Sequence, residues 1–358
     1  MNSMYASKNE KLKTKSQVGF KNLKSNFIFK KILEFVKKNK SLKIIKYNKK
    51  LQKRLNLNIN DYREYLSIEI ELKFVEDKYG KFINIPDKEK ENYHIYFNNS
   101  NEDIKRNYLN ENEKVEIIKI IIDYQIESFY NLFYDCKCIE SINFKKFYRN
   151  NITNMSGMFY ESSSLKEINL SNFSTNNVTD MKHMFYGCSS LKEINLSNFS
   201  TNNVINMCCM FGGCSSLKEL NISNFNTNNV THMGGMFLGC KELKELNLSN
   251  FNTNNVTYMC CMFGGCSSLK ELNISNFNTI NVSDMGGIFY NCSSLKELKV
   301  SRFITNDKTN MSDMFYGCQD ELKEMKFIVK HKSLKSILIN LSYLILLISL
   351  ICCFGENK

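Results

Sequence analysis

The chain is predicted to fold as an α/β repeat solenoid: a stack of coils, each made of one strand and one short helix. A small α+β region precedes the stack and a hydrophobic helix follows it. Three observations predict this. Leu191–Ser216 reads LKEINLSNFSTNNVINMCCMFGGCSS and the stretch from Leu217 reads LKELNISNFNTNNVTHMGGMFLGCKE, a period of 26. Self-similarity at such a period is the signature of repeat architectures. Within each period the apolar spacing switches from a strand type to a helical one. Near the C-terminus, Ile337 to Phe354 reads ILINLSYLILLISLICCF without a charge.

The elements follow in chain order. Of the 48 Lys and Arg, 17 lie in residues 1–60 against 2 Asp and Glu, so the net charge of +12 belongs to the N-terminus. The rest of the chain is close to neutral. Residues 1–26 are polar, Lys- and Ser-rich, and expected to be disordered. No secretory signal is visible, because Phe27–Phe29 is ended by Lys30 and Lys31. Residues 27–57 read as two helices, one with Phe27, Ile28, Ile32, Phe35 and Val36 as its apolar set, the other with Leu42, Ile45, Leu51 and Leu55. Lysines fill the other faces. A solvated helical cap, contact with anionic lipid at about 1 kcal/mol per Lys near the surface, and an F-box-like hairpin all fit this pattern. The hairpin lacks the usual Leu-Pro start and any Trp. Nucleic-acid binding is not expected, since basic charge comes here without a recognition motif.

Ile68, Ile70, Leu72 and Phe74 alternate with Glu69, Glu71 and Lys73, which predicts a half-buried strand. Gly80 marks a turn, and Phe82–Ile85 and Tyr93–Phe97 are expected to pair back. Together 27–112 form one expected region, with the charged residues 100–112 as its linker.

The repeat domain is expected over 113–330. Leu165, Leu191, Leu217, Leu243, Leu269 and Leu295 keep the period without a slip, and Leu322 follows after 27. A degenerate first coil fits Ile118, Ile126, Phe129, Phe133 and Cys136. Leu191, Ile194 and Leu196 form L-x-x-L-x-L, a strand that buries its leucines and exposes Glu193, Asn195 and Ser197. Met207, Met210, Phe211 and Cys214 stand at i, i+3, i+4, i+7, one face of a short helix. Thr179, Thr231 and Ser283 are its expected N-caps, and Gly187 or Gly213 its stop. Since a single coil cannot bury its own leucines, each column becomes a ladder at about 4.8 Å per coil. Phe173 to Phe303 and Phe159 to Phe315 form two phenylalanine columns. Asn151 to Asn281 form a corner column suited to left-handed geometry and backbone hydrogen bonds.

The string NFxTxNVTxMxxMFxGCSSLKELNLS resembles the BspA-like leucine-rich repeat family, also described as the domain of unknown function of Mycoplasma surface proteins. The resemblance covers about 60% of the chain. It implies a leucine-rich-repeat-like solenoid and a non-enzymatic surface or adhesion role, and it carries over no catalytic residue. The family's common Asp in L-x-L-D-L-S is here Asn169, Asn195, Asn221, Asn247 and Asn273, then Lys299.

Residue chemistry points the same way. Cys136, Cys188, Cys214, Cys240, Cys266, Cys292 and Cys318 form one column, with Ser162 in the missing place. They read as small buried hydrophobes, and so many thiols suggest a reducing compartment. Cys208–Cys209 and Cys260–Cys261 lie two coils apart, with Gly234–Gly235 between. No C-x₂₋₄-C knuckle occurs, so no metal is expected. His94, His183, His232 and His331 have no nucleophile or acid partner at motif spacing, and phosphate-loop, nucleophile-elbow and zincin motifs are missing. No enzyme activity and no cofactor are expected.

Ile337 to Phe354 spans about 27 Å as a helix, enough to cross hydrocarbon. It lies in the expected C-terminal helix, 336–354, whose alternative role is to cap the open end of the solenoid. Lys330, Lys332 and Lys335 precede it, so the positive-inside rule places the bulk of the chain in the cytoplasm. Sequons such as Asn169-Leu-Ser and Asn177-Val-Thr would crowd the stack if glycosylated, which favours the same side.

The functional expectation is a membrane-anchored, non-enzymatic protein-interaction scaffold. Its candidate partner-binding face is the strand face: Glu167, Asn169, Glu193, Asn195, Glu219, Asn221, Glu245, Asn247, Glu271 and Asn273. The alternatives are an intracellular F-box-like adaptor with the repeats as substrate receptor, and a cell-surface adhesin.

Overall fold

The computed structural model describes residues 66–147, 150–300, 304–305, 309–323 and 328–329. The chain divides at Ser67/Ile68 into two compact units. The expected tail 1–26, the helices of 27–57 and the hydrophobic segment 336–354 lie outside the described residues.

The second unit opens with a sheet. β1 (Ile68–Phe74) is the expected half-buried strand. β3 (Tyr93–Phe97), β5 (Ile117–Ile122) and β6 (Ile139–Lys146) join it, and β7 (Glu167–Asn169) follows, in the order β3-β5-β1-β6-β7. β1 is antiparallel to both β5 and β6, with Leu72 opposite Ile118 on one side and Ile142 on the other. β6 then pairs in parallel with β7. One strand thus closes the antiparallel sheet and serves as the first rung of the stack. That covers the end of a repeat array, which would otherwise present an open edge.

Three expectations for this region are corrected. Ile118 lies in β5 of the sheet and not in a first coil. Tyr93–Phe97 pairs with β5 rather than folding back on β1. Residues 100–112 are no linker: β4 (Tyr108–Leu109) pairs with β2 (Gly80–Lys81), Phe82 donates its N–H to Asn107, and Leu109 is buried. Asp103 accepts from the Ile95 N–H at 2.9 Å and sits 2.9 Å from His94 Nδ1. With the Ile104 N–H bonded to the Ile95 carbonyl, this segment covers the outer edge of β3.

From Ser128 onward the chain coils with the 26-residue period. Parallel bridges join Ser128 to Asn154, Asn154 to Asp180, and so on to Asn310. The Leu, Val, Met, Phe and Cys columns between these bridges form the core. Phenylalanine rings from Phe133 to Phe315 stack face to face with centroids 5.3–6.0 Å apart. In the other phenylalanine column Phe173 and Phe199 stack at 5.6 Å, and Phe303 lies outside the described residues.

The second half of each coil is not a helix. In the coil of Phe211, the Met210 N–H bonds to Met207 (3.2 Å) and the Cys214 N–H to Phe211 (3.1 Å), so two four-residue turns follow one another. The third residue of each turn, Cys209 or Gly213, has a positive φ of 52° or 71°, as a type II turn requires. The N–H groups of Met207, Cys209, Phe211 and Gly213 point instead to carbonyls of His232, Gly234, Met236 and Leu238 in the next coil, at 2.6–3.0 Å. A helix would keep those bonds inside its own coil. Here alternate N–H groups stitch the stack together. The expected stop glycine therefore supplies a left-handed turn position, at little steric cost. The expected caps Thr179, Thr231 and Ser283 donate to carbonyls of the preceding coil.

The first half departs differently. Three-residue strands form at β7, β8 (Glu271–Asn273) and β9 (Glu297–Lys299). In the coils between, Glu193–Asn195, Glu219–Asn221 and Glu245–Asn247 run without ladder pairing. Parallel pairs β10 (Ile304–Thr305) and β11 (Ile328–Val329), and a single helical turn α1 (Asp320–Lys323), close the described part. The whole is strand- and turn-rich, with very little helix among the described residues.

Candidate interaction face

Polar side chains divide into those committed to the stack and those left outside. The committed ones are numerous. Thr201 and Thr227 are 1% exposed. Thr227 Oγ1 donates to the Asn252 carbonyl (2.9 Å) and accepts the Asn252 N–H (2.7 Å), so one hydroxyl replaces a pair of ladder bonds. Thr175, Thr201 and Thr253 do the same one coil apart. Asn198, Asn224, Asn250 and Asn276 each donate Nδ2 to two or three carbonyls of the coil before. The corner column Asn177 to Asn281 also donates backward, but none of it has the left-handed φ expected there. Neither the Thr column nor the Asn198 column was singled out by sequence reasoning. Their signal was recurrence at each period in a position with no apolar reason to recur.

The cysteine column is committed as well. Cys188, Cys214, Cys240, Cys266, Cys292 and Cys318 donate S–H to the phenylalanine carbonyl 29 residues earlier, at 2.9–3.2 Å. Ser162 makes the same bond to Phe133 at 2.6 Å. This explains why Ser can stand in the column, which a purely apolar role would not. Burial pushes the thiols of Cys188, Cys214, Cys240, Cys266 and Cys292 well up from their ordinary range.

Cys208, Cys209, Cys260 and Cys261 are half-exposed on the turn side. Glycines of the next coil make room for their neighbours: a Cβ at Gly235 would lie 2.7 Å from Cys209 Sγ, and one at Gly234 would lie 2.5 Å from the Tyr258 ring. Cys260 S–H donates to the Tyr258 hydroxyl at 2.8 Å. Burial raises the thiol of Cys209 to about 11. Among the described residues no group of three or more His, Cys, Asp and Glu side chains is arranged to hold a metal ion. Thiolate is the reactive form and access limits its attack. Alkylation of the native protein at neutral pH should therefore label Cys208, Cys209, Cys260 and Cys261 slowly and leave Cys188, Cys214, Cys240, Cys266 and Cys292 unlabelled. Mass spectrometry of the digest checks this. Equal labelling of both sets would show that the column opens to solvent.

The ten residues of the expected face come together. All are exposed. Glu167, Asn169, Glu193, Asn195, Glu219 and Asn221 line a groove of about 920 Å³ that starts at Glu71 and Lys73 of β1. Glu245, Asn247, Glu271 and Asn273 line a second groove of about 530 Å³ further along. Each wall is one column. Among the described residues the Glu carboxylates of the middle coils form no ion pair, whereas at the sheet end Lys166 reaches Glu140 (2.8 Å) and Lys145 reaches Glu71 (3.2 Å). Each Asn of the other wall spends its Oδ1 on the N–H two residues on, as Asn195 does with Ser197 at 3.0 Å. This is an Asx turn. Among the described residues no helix is long and apolar enough to cross a membrane.

A family model described as "Mycoplasma protein of unknown function, DUF285" matches residues 127–220 and 213–326, together more than half of the chain. No curated protein matches the chain, and neither does any solved structure.

Proposed function

The chain belongs to the DUF285 family of Mycoplasma-type repeat proteins, and from that premise we propose that it is a non-enzymatic, membrane-anchored interaction scaffold. In this reading residues 113–330 act as a leucine-rich-repeat-like solenoid. Ile337 to Phe354 is the single span, and the bulk of the chain faces the cytoplasm. The supporting observation is the division of labour among polar groups. The column thiols, the Thr175-to-Thr253 hydroxyls and the amides of the Asn198 and Asn177 columns are used in coil-to-coil bonds, while the Glu and Asn rows of the strand face line open grooves. A face with rows of uncommitted polar groups and no arranged nucleophile suits holding a partner better than transforming one.

Two arms test this. Glu193→Lys, Glu219→Lys and Glu245→Lys together should reduce partner capture by the full chain to background, because one wall changes sign. Unchanged capture would move the site elsewhere. The full chain should resist carbonate extraction from membranes, while a chain ending at Lys335 washes off. Digestion of the repeats from the cytosolic side is expected. Digestion of intact cells from outside would place the protein at the cell surface as an adhesin.

A further inference from the structure

We propose that the strand side of the middle coils is a closable seam, held open by the like charges of the Glu row and zipping into a parallel ladder when that row is neutralised. The seam is a property of the stack itself and is tested without a partner, so it goes beyond the scaffold reading.

The two sides of the stack are joined unequally. On the turn side every coil from Ser128 to Asn310 is bridged to the next. On the strand side, among the described residues, the ladder forms only from β6 to β7 and from β8 to β9. At the second of these the Ile274 N–H donates to the Lys299 carbonyl at 2.9 Å. Leu170, Leu196, Ile222 and Leu248 hold the same place in the four coils before, each 2% exposed or less. Among the described residues none of their N–H groups has a backbone partner. Buried N–H groups are nearly always paired, and Ile274 shows which carbonyl of the next coil would serve. Four unmade bonds in a row need an opposing force.

Like charge supplies it. Glu167, Glu193, Glu219, Glu245 and Glu271 follow one another at the 26-residue period. Zipping the strands would set each carboxylate opposite the next at about 4.8 Å, and like charges directly opposite destabilise a strand pair. Both zipped pairs depart from the pattern. In β6–β7, Ser141 stands opposite Glu167 and Glu140 meets Lys166 at 2.8 Å. In β8–β9, Glu271 is opposite Glu297, but Lys299 stands opposite Asn273. That puts a cation diagonal to Glu271, within reach of a long side chain. The Lys row beside the carboxylates is no bar to closure: the Lys218 N–H already bonds to the Lys192 carbonyl at 3.1 Å, and Lys296 to Lys270 at 2.8 Å. The other charged groups along the row are Glu71 and Lys73 at the sheet end, and Glu297 and Lys299 at the far end.

Hydrogen exchange of the full-length protein reads the seam amide by amide. In the parent at low salt, after correction for intrinsic rates, the Leu196, Ile222 and Leu248 amides should exchange about tenfold or more faster than that of Ile274. The triple variant Glu193→Gln, Glu219→Gln, Glu245→Gln should melt no lower than the parent and slow those three amides by about tenfold or more. Added salt that cuts the screening length from about 30 to about 3 Å should slow them in the parent and leave the triple variant unchanged. Asn221→Lys copies the Lys299 exception, and should slow Leu196 while leaving Leu248 as it was. Parent amides as slow as Ile274 would show a seam already closed. Amides unmoved in the triple variant or in Asn221→Lys, or slowed equally by salt in parent and triple variant, would show that charge does not gate it. Each of these results overturns the proposal. A zipped triple variant, together with unchanged partner capture by the chain carrying Glu193→Lys, Glu219→Lys and Glu245→Lys, would uphold the seam and move the interaction site elsewhere.

Discussion

Phe211→Ala is expected to destabilise the protein by about 3–5 kcal/mol, the cost of removing a fully buried aromatic side chain from a close-packed core. Phe211 is 1% exposed and stacks on Phe185 at 5.7 Å and Phe237 at 6.0 Å. Its backbone N–H also holds the next coil through Met236. Each coil of a repeat stack touches only its neighbours, so a weakened interface in the middle separates two shorter stacks that must each persist alone. A large effect on the denaturation midpoint is expected, together with a broadened transition. Phe315→Ala provides the contrast. Phe315 is only partly buried near the end of the column, and its loss should cost less than half as much. Equal costs at the two positions would show that the stack unfolds as one cooperative block.

Thr227→Val should be almost as damaging, at about 2–5 kcal/mol, although it removes no volume. Among the described residues the hydroxyl is the one partner of both the N–H and the C=O of Asn252. A methyl group in its place leaves two backbone groups unpaired against a residue that is 1% exposed, and each unpaired buried group costs about 1–3 kcal/mol. Thr227→Ser keeps the hydroxyl and should lose only about 1 kcal/mol for the missing methyl. Hydrogen exchange gives a local readout: the Asn252 amide should lose protection in the Val variant and keep it in the Ser variant. Retained protection in both would mean that water or a shifted carbonyl serves the Asn252 amide equally well.

The misread helix shows where periodicity runs out. Met207, Met210, Phe211 and Cys214 face the core as read, but two consecutive four-residue turns place their first and fourth residues inward. That produces i, i+3, i+4, i+7, the same spacing as one face of a helix. What separated the two was the pair of left-handed positions. Cys209 and Cys261 occupy one of them without being glycine, so composition hid it. Cys209 is accommodated because Gly235, one coil on, leaves room for its sulfur. The alternation of Cys-Cys with Gly-Gly down the column was visible in the sequence and has this packing cause.

The amino-acid sequence by itself determined the period, the register, the core columns and the identity of the outward Glu and Asn rows. It could do so because hydrophobic burial repeats wherever the chain repeats, and each coil needs its neighbour to complete a core. It also determined the family. Only the tertiary structure decided where the backbone hydrogen bonds go. Whether an N–H closes a turn within its coil or reaches the next coil depends on φ at one residue and on a carbonyl 25 positions away, and neither has an apolar signature. The same holds for the threonine hydroxyls that replace ladder pairs, and for Asn195 and its equivalents, whose Oδ1 holds the N–H two residues on.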